Sequence, residues 1–363
     1  MSTKPLLVAQ LLPRMEEGGA ERGVVDLARE HGDAVRHVII SENGRLVSDA
    51  LLAGARHLSL PMASKNPLTV PGRVRLLRKT LESIAPDIVH VRSRLPAWLH
   101  HFANRQLRLP TVSTVHGINS VSAYSRIMVR ADAIICPSAA VATHIQRHYL
   151  VLAKKITVIS RGVDVEYFDS TAVNAMVVEK LREEWGAAGR RVVLHVGRLA
   201  EQKGHDVLLR ALALMPARAG WLAVFAGGGV LKRRRRLVAL ARRLGVADQV
   251  RFVGGRRDIR EVYALADVVV SCARKPESFG RTMAEALAMN KSVIATAHGG
   301  ALDIITNNES GGRLVPPDDP AALAAALSAP LPVADDSRAR ITSVFTARKM
   351  AEETLAVYRR LVE

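Results

Sequence analysis

The chain is short of cysteine, of aromatic residues and of acidic charge, and it has no long apolar run. Its two cysteines, Cys136 and Cys272, lie far apart and each follows an apolar run. They read as buried thiols of a reducing compartment, which excludes a disulfide scaffold or a cysteine metal site. No apolar stretch approaches the roughly 20 residues that a membrane-spanning helix needs. The N-terminal run at residues 6–12 is too short, and too soon followed by glycines, for a secretory signal. Aromatics make up 4% of the chain, so its basic residues lack a stacking platform for nucleic acid. Asp and Glu number 34 against 52 Lys and Arg, a net charge of +18. That excess calls for an anionic partner, such as an anionic membrane surface or a phosphorylated substrate. The densest block, residues 232–236 followed by Arg242 and Arg243, reads either as a solvated helix face or as a membrane contact.

What is present is a long alternation of apolar runs and amphipathic stretches. At 363 residues and 48% hydrophobic, the chain has room for two domains of ordinary size. Residues 6–12 read as a first buried strand ended by Pro13, followed by Gly18-Gly19 and a helix over 23–30. Such a turn suits a phosphate, although it is not the G-x-G-x-x-G fingerprint and a plain tight turn reads as well. Residues 37–40, 87–91, 110–115, 133–136 and 156–159 give further strands, with a helix over 74–84. The strand at 87–91 leads into a loop with Arg92, Arg94 and Trp98, provisionally an acceptor-recognising segment or a patch of surface arginines. A second series begins at 192–196 and continues at 222–226, 250–253, 267–271 and 292–296. No internal repeat emerges beyond these two β/α halves.

The densest chemistry lies in residues 276–300, PESFGRTMAEALAMNKSVIATAHGG. Glu277 sits on a loop after a strand, and Glu285 in the opening turns of the next helix. This is the crevice where open α/β sheets bind ligands, and a helix start there suits a diphosphate. Two solvated glutamates would be the ordinary reading of that spacing alone. The whole pattern, with His298-Gly299-Gly300 after the next strand, resembles the C-terminal signature of the retaining family 4 glycosyltransferases. Gly18-Gly19-Ala20-Glu21, His116-Gly117, and Arg198 followed five residues later by Lys203 match further family segments. Residues 160–164 resemble the interdomain sequence, with Ser160-Arg161 where Pro-Asn is more usual.

That resemblance implies an α/β, GT-B architecture: two Rossmann-like domains facing across a cleft. The N-terminal acceptor domain would span 1–165 and the nucleotide-sugar donor domain 166–345. A C-terminal helix, 346–363, would pack back on the N-terminal domain. It implies a metal-independent, retaining transfer from a nucleotide-sugar, UDP-linked for preference, to a hydroxyl of a glycan or phosphorylated glycolipid, with no cofactor. His116, Glu277, Arg198 and Lys203 would be catalytic. Gly18, Gly19, Gly254, Arg256, Phe279, Gly280, Arg281, Thr282 and Glu285 would bind the donor. The N-terminal half looks similar to lipopolysaccharide-core transferases, which implies a cytoplasmic site at the inner membrane face, with peripheral membrane contact and no nucleic acid. Two other readings stay open: a GT-B nucleotide-sugar epimerase, and a non-catalytic basic protein binding membrane or nucleic acid.

Overall fold

The computed structural model describes residues 4–16, 18–216, 220–306, 311–332 and 337–363. It divides into two units, one of Met1–Gly162 with Ala347–Glu363 and the other of Val163–Thr346. In the first unit the strands are β1 (Leu6–Arg14), β2 (Val35–Glu42), β3 (Arg56–Ser59), β4 (Ile88–Val91), β5 (Thr111–Thr114), β6 (Ala133–Cys136) and β7 (Ile156–Val158). They form one parallel sheet in the order β3-β2-β1-β4-β5-β6-β7. The second unit holds β8 (Arg191–Val196), β9 (Trp221–Ala226), β10 (Val250–Gly254), β11 (Val268–Ser271), β12 (Ser292–Thr296) and β13 (Gly312–Val315). These too are parallel, in the order β10-β9-β8-β11-β12-β13. Both units are therefore doubly wound α/β sheets, as the alternation of apolar runs predicts.

Parallel strands are covered on both faces, so they read as continuous apolar runs, and β9 is buried at every position. Side chains alternate across the sheet plane and sort the core into two layers. Leu194, Leu222, Val224, Val269 and Val293 fall in one cluster of the second unit. Val193, Ala223, Phe225, Val268, Val270 and Ile294 fall in the other. In the first unit Ala9, Leu11, Val89 and Val91 form one layer. Val8, Ile88 and Val112 form the opposite one, and there the C-terminal helix Ala347–Val362 contributes Met350, Ala351, Val357 and Tyr358.

That helix is held by polar bonds as well. Tyr358 accepts from Gln10 Nε2 at 3.0 Å and meets His90 Nδ1 at 2.6 Å, and His31 Nε2 meets the Ala351 carbonyl at 2.9 Å. His31 and His37 share a further bond of 2.8 Å, so one connected buried network ties the helix to β1, β2 and β4.

Several local expectations shift. Strand β1 runs past Pro13 to Arg14, because the register slips between Leu11 and Arg14 and a proline is tolerated at such an irregularity. The first helix spans Gly19–His31, four residues earlier than the apolar pattern indicates, with Gly18 as its N-cap. The helix expected over 74–84 likewise starts at Val70, where Pro71 fits the first turn. Strand β3, Arg-His-Leu-Ser, is a short, partly exposed edge strand without an apolar run to mark it. The expected loop at 92–98 is mostly helix, since Arg94–Leu107 is helical and carries Trp98. Arg92 is not on the surface: it is only 7% exposed.

Candidate active site

In the second unit the strand order reverses between β8 and β11, the place where such sheets leave a crevice beyond the strand ends. The segment after β8 carries Arg198 and Lys203, and the segment after β11 carries Glu277. Lys203 Nζ and Glu277 Oε1 meet at 2.5 Å, with the side chains 27% and 14% exposed. The two residues are 74 positions apart in sequence, and the topology alone brings them together. Arg198 is exposed on the same segment, next to Leu199, whose N–H donates to the Gly228 carbonyl at 2.8 Å.

Three contacts set this geometry. Gly204 follows Lys203 at φ 64°, and a Cβ there would stand 1.9 Å from the Cys272 carbonyl oxygen. Only glycine allows that approach of the Lys203 turn to the end of β11. Arg274 then grips Asp206, on the helix His205–Leu214, through two bonds of 2.8 and 2.7 Å, and also bonds Asp318 at 2.8 Å. Its N–H donates to the Gln202 carbonyl. From the other side, Gly300 N–H donates to the Glu277 carbonyl at 2.8 Å, and His298 Nε2 meets the Ala273 carbonyl at 2.8 Å. The loop between β11 and the next helix is thus pinned at both ends. Sequence reasoning passed over Arg274 and Asp206; their only signal was a lone cation and a lone acid flanking the matched motif residues.

The remaining donor-site candidates follow from Glu277 onward. Phe279 is buried and its ring packs on Phe345 at 5.6 Å, so its side chain belongs to the core and only its backbone is available to a ligand. Gly280 caps the helix Arg281–Ala288 at φ 101°, a left-handed value that favours glycine. Glu285, 8% exposed, accepts from Tyr263 Oη at 2.8 Å through Oε2 and from Arg281 Nε at 2.8 Å through Oε1. Burial and the Glu285 charge push the Tyr263 phenol well above its usual value. Thr282 is half-buried and offers its carbonyl to Tyr263. Gly254 ends β10 and accepts from Gly227 N–H at 2.7 Å. Arg256 is less open than expected, for its guanidinium forks onto Asp258 at 2.8 and 2.5 Å beside the Trp185 ring.

In the first unit, Gly18, Gly19 and His116 follow β1 and β5. Arg161 Nη2 bonds His116 Nδ1 at 2.7 Å. Arg161, Gly19 and His116 line one narrow cavity with Arg92. Burial first, then the charges of Arg161 and Arg92, hold His116 well below the usual histidine range. Both cysteines are buried and unpaired, their thiols pushed up to about 12 by burial. Among the described residues no helix is long and apolar enough to cross a membrane.

Residues 17–167 match the family model described as Glycosyltransferase Family 4, and residues 177–341 the one described as Glycosyl transferases group 1. A D-inositol 3-phosphate glycosyltransferase of Salinispora arenicola is 30% identical over 294 residues, which cover 73% of this chain and 64% of that protein. The chain spans less than two thirds of the length of the first such curated relatives. A glycosyltransferase from Rickettsia africae superposes with a TM-score of 0.88 at 27% identity, covering 99% of this chain and 100% of that one. Anabaena Alr3699/HepE in complex with UDP and glucose shares the fold, with a TM-score of 0.87 at 23% identity over 98% and 100% of the two chains. With both halves matched in order and each built as a doubly wound sheet, this chain belongs to the GT-B glycosyltransferases that join a family 4 half to a group 1 half.

Proposed function

We propose that the protein is a retaining, metal-independent glycosyltransferase that moves a sugar from a nucleotide-sugar to a hydroxyl of a cell-envelope glycan or glycolipid. The observation that carries this reading is the Lys203–Glu277 pair at the β8/β11 reversal, beside the exposed Arg198. A leaving diphosphate needs positive charge, which Arg198 and Lys203 supply as a fork and a point charge. Glu277 faces the sugar hydroxyls, the backbone at Phe279 and Gly280 donates to the donor, and Glu285 takes the ribose. The Gly254–Arg256 turn holds the base through its backbone, and the helix start at Arg281 and Thr282 takes phosphate oxygens. Gly18, Gly19 and His116 act from the first unit, His116 by donating from Nε2 to a sugar oxygen. UDP is the preferred nucleotide, in keeping with the UDP and glucose held by the Anabaena relative.

The transfer proceeds on one face of the sugar. The acceptor oxygen bonds to the anomeric carbon as the carbon–oxygen bond to the diphosphate breaks. A departing phosphate oxygen takes the acceptor proton. No protein nucleophile is required, and the configuration is kept. Mixing the enzyme with a UDP-sugar and water alone, with EDTA present, tests this. NMR of the first sugar released should show the donor's own anomer. The opposite anomer would rule out retention, and complete loss of turnover with EDTA would rule out metal independence.

Peripheral membrane contact belongs to the same reading. The helix Leu231–Arg243 exposes Lys232, Arg234, Arg235, Arg236, Arg242 and Arg243, with Val230 and Leu231 exposed at its start. Cations beside exposed apolar side chains suit the surface of an anionic bilayer. On this reading the work is done at the cytoplasmic face of the inner membrane, on an acceptor such as a lipopolysaccharide precursor.

A further inference from the structure

Arg92 is a buried cation that pairs with no carboxylate among the described residues. It follows β4, and its Nε donates to Gln10 Oε1 at 3.0 Å. Its Nη2 has no partner among the described residues. The group that acts most on its charge is the Tyr358 phenol, which is no counter-ion. An arginine does not shed its proton, so a full charge is kept out of water at considerable cost.

Arg92 lines a cavity of about 20 Å³ with Gly19, His90, His116, Arg161 and Thr354, and among the described residues no Asp or Glu lines it. His90 is committed at both nitrogens, to Tyr358 and to Thr114, and the Thr354 hydroxyl donates to the Met350 carbonyl. His116 has its Nδ1 on Arg161, while Nε2 has no partner among the described residues. Arg92 Nη2 and His116 Nε2, left without a partner among the described residues, are both donors. Arg161 Nη1 also lies 2.6 Å from where a Cβ on residue 19 would stand, against the positive end of a 13-residue helix whose N-cap is Gly18. Strands β1 and β4 meet here at the reversal of strand order in the first sheet. A water would fit this volume and satisfy hydrogen bonds, but it would leave the charge uncompensated.

We propose that this cavity seats one oxygen of an oxyanion, a phosphate or a carboxylate group, and that the acceptor recognised by the first unit is acidic. The word acceptor rests on the transferase reading; the binding itself does not. The test uses the full chain carrying Arg198→Ala and Lys203→Ala, which removes the proposed diphosphate cations. Inorganic phosphate, glucuronate and neutral glucose are titrated against it by calorimetry. Phosphate or glucuronate is expected to bind, glucose is not, and adding Arg92→Gln should weaken the anion at least tenfold. Binding of phosphate alone assigns a phosphorylated acceptor, and binding of glucuronate alone a sugar acid. Should the Arg92→Gln chain not fold by circular dichroism, Arg161→Gln carries the same expectation. No anion binding in the parent, or binding unchanged by these substitutions, would overturn the proposal and leave the cavity to a water. A wild-type chain that binds phosphate but no nucleotide would sink the transferase reading and spare this one.

Discussion

Arg161 donates to Nδ1 of His116 across 2.7 Å, and that bond decides which nitrogen of the ring holds the proton. An arginine only donates, so Nδ1 must accept and Nε2 carries the hydrogen. His116 is then a neutral donor and not a base. Selective ¹⁵N-histidine labelling should show its ring with Nε2 protonated from neutral pH down well below 6.5. Arg161→Gln removes one of the two charges that depress the ring, and its titration should move upward. A wild-type His116 that titrates near 6.5 would contradict this account.

Lys203 and Glu277 should behave as one unit. Lys203→Ala and Glu277→Gln are each expected to lower kcat/KM by about 10²–10³-fold, the range of a preorganised charge stabiliser. Because the residues touch, the double variant should lose much less than the product of the two effects. Steady-state kinetics on the four proteins gives the coupling, and simple multiplicativity would mean that the pair has no joint role.

Arg274 is expected to act through position. Its fork onto Asp206 is about three-quarters buried, whereas Asp318 is well exposed and contributes little. Arg274→Ala should cost about 1–3 kcal/mol of stability in urea unfolding and loosen the Lys203 turn. The accompanying loss of activity should appear in kcat more than in nucleotide affinity. A variant with wild-type stability and kcat would show that the ion pair positions nothing.

Acid should unfold the protein through its buried histidines. Burial lowers His195 to about 4, His100 to about 3 and His205 to about 2, and holds His31, His37 and His90 below the usual range. The unfolded chain takes up protons near pH 6.5 while the folded rings stay neutral. Stability should therefore be level above about pH 6.5 and fall as the pH drops from there toward 4, by up to about 1.4 kcal/mol per pH unit for each such ring. Urea midpoints measured from pH 8 to pH 4 check this. A midpoint that does not fall below pH 6.5 would mean that these rings are charged in the folded state.

For the basic helix Leu231–Arg243, co-sedimentation with vesicles gives a direct readout. Vesicles rich in phosphatidylglycerol should retain the protein at low salt, and neutral phosphatidylcholine should not. Replacing Arg234, Arg235 and Arg236 by Gln should weaken binding at least tenfold. Equal binding to both lipids, or no effect of the substitutions, would return the helix to a solvated face.

The alternation of apolar runs carried most of the fold, because parallel strands buried on both faces leave an unmistakable trace in Val, Ile and Leu. It failed where that trace is thin. Strand β3 is a polar edge, and the first helix begins with glycines that carry no periodicity. In the site, Glu277 and Lys203 were legible as motif residues, but their contact depends on β8 and β11 lying side by side, which no local pattern encodes. Arg92 is the plainest case. Arg92, Arg94 and Trp98 read either as an acceptor-recognising loop or as surface arginines, and only the folded chain shows that Arg92 is buried against Gln10 while Arg94 and Trp98 lie in the opening turns of a helix.

The central claim is a nucleotide site in the second unit, and calorimetry with UDP, GDP and ADP and their sugar conjugates meets it most directly. One nucleotide should bind, and Glu285→Ala should abolish or greatly weaken it, since that carboxylate is the proposed ribose partner. No binding to any of the three, or binding that Glu285→Ala leaves untouched, would contradict the account.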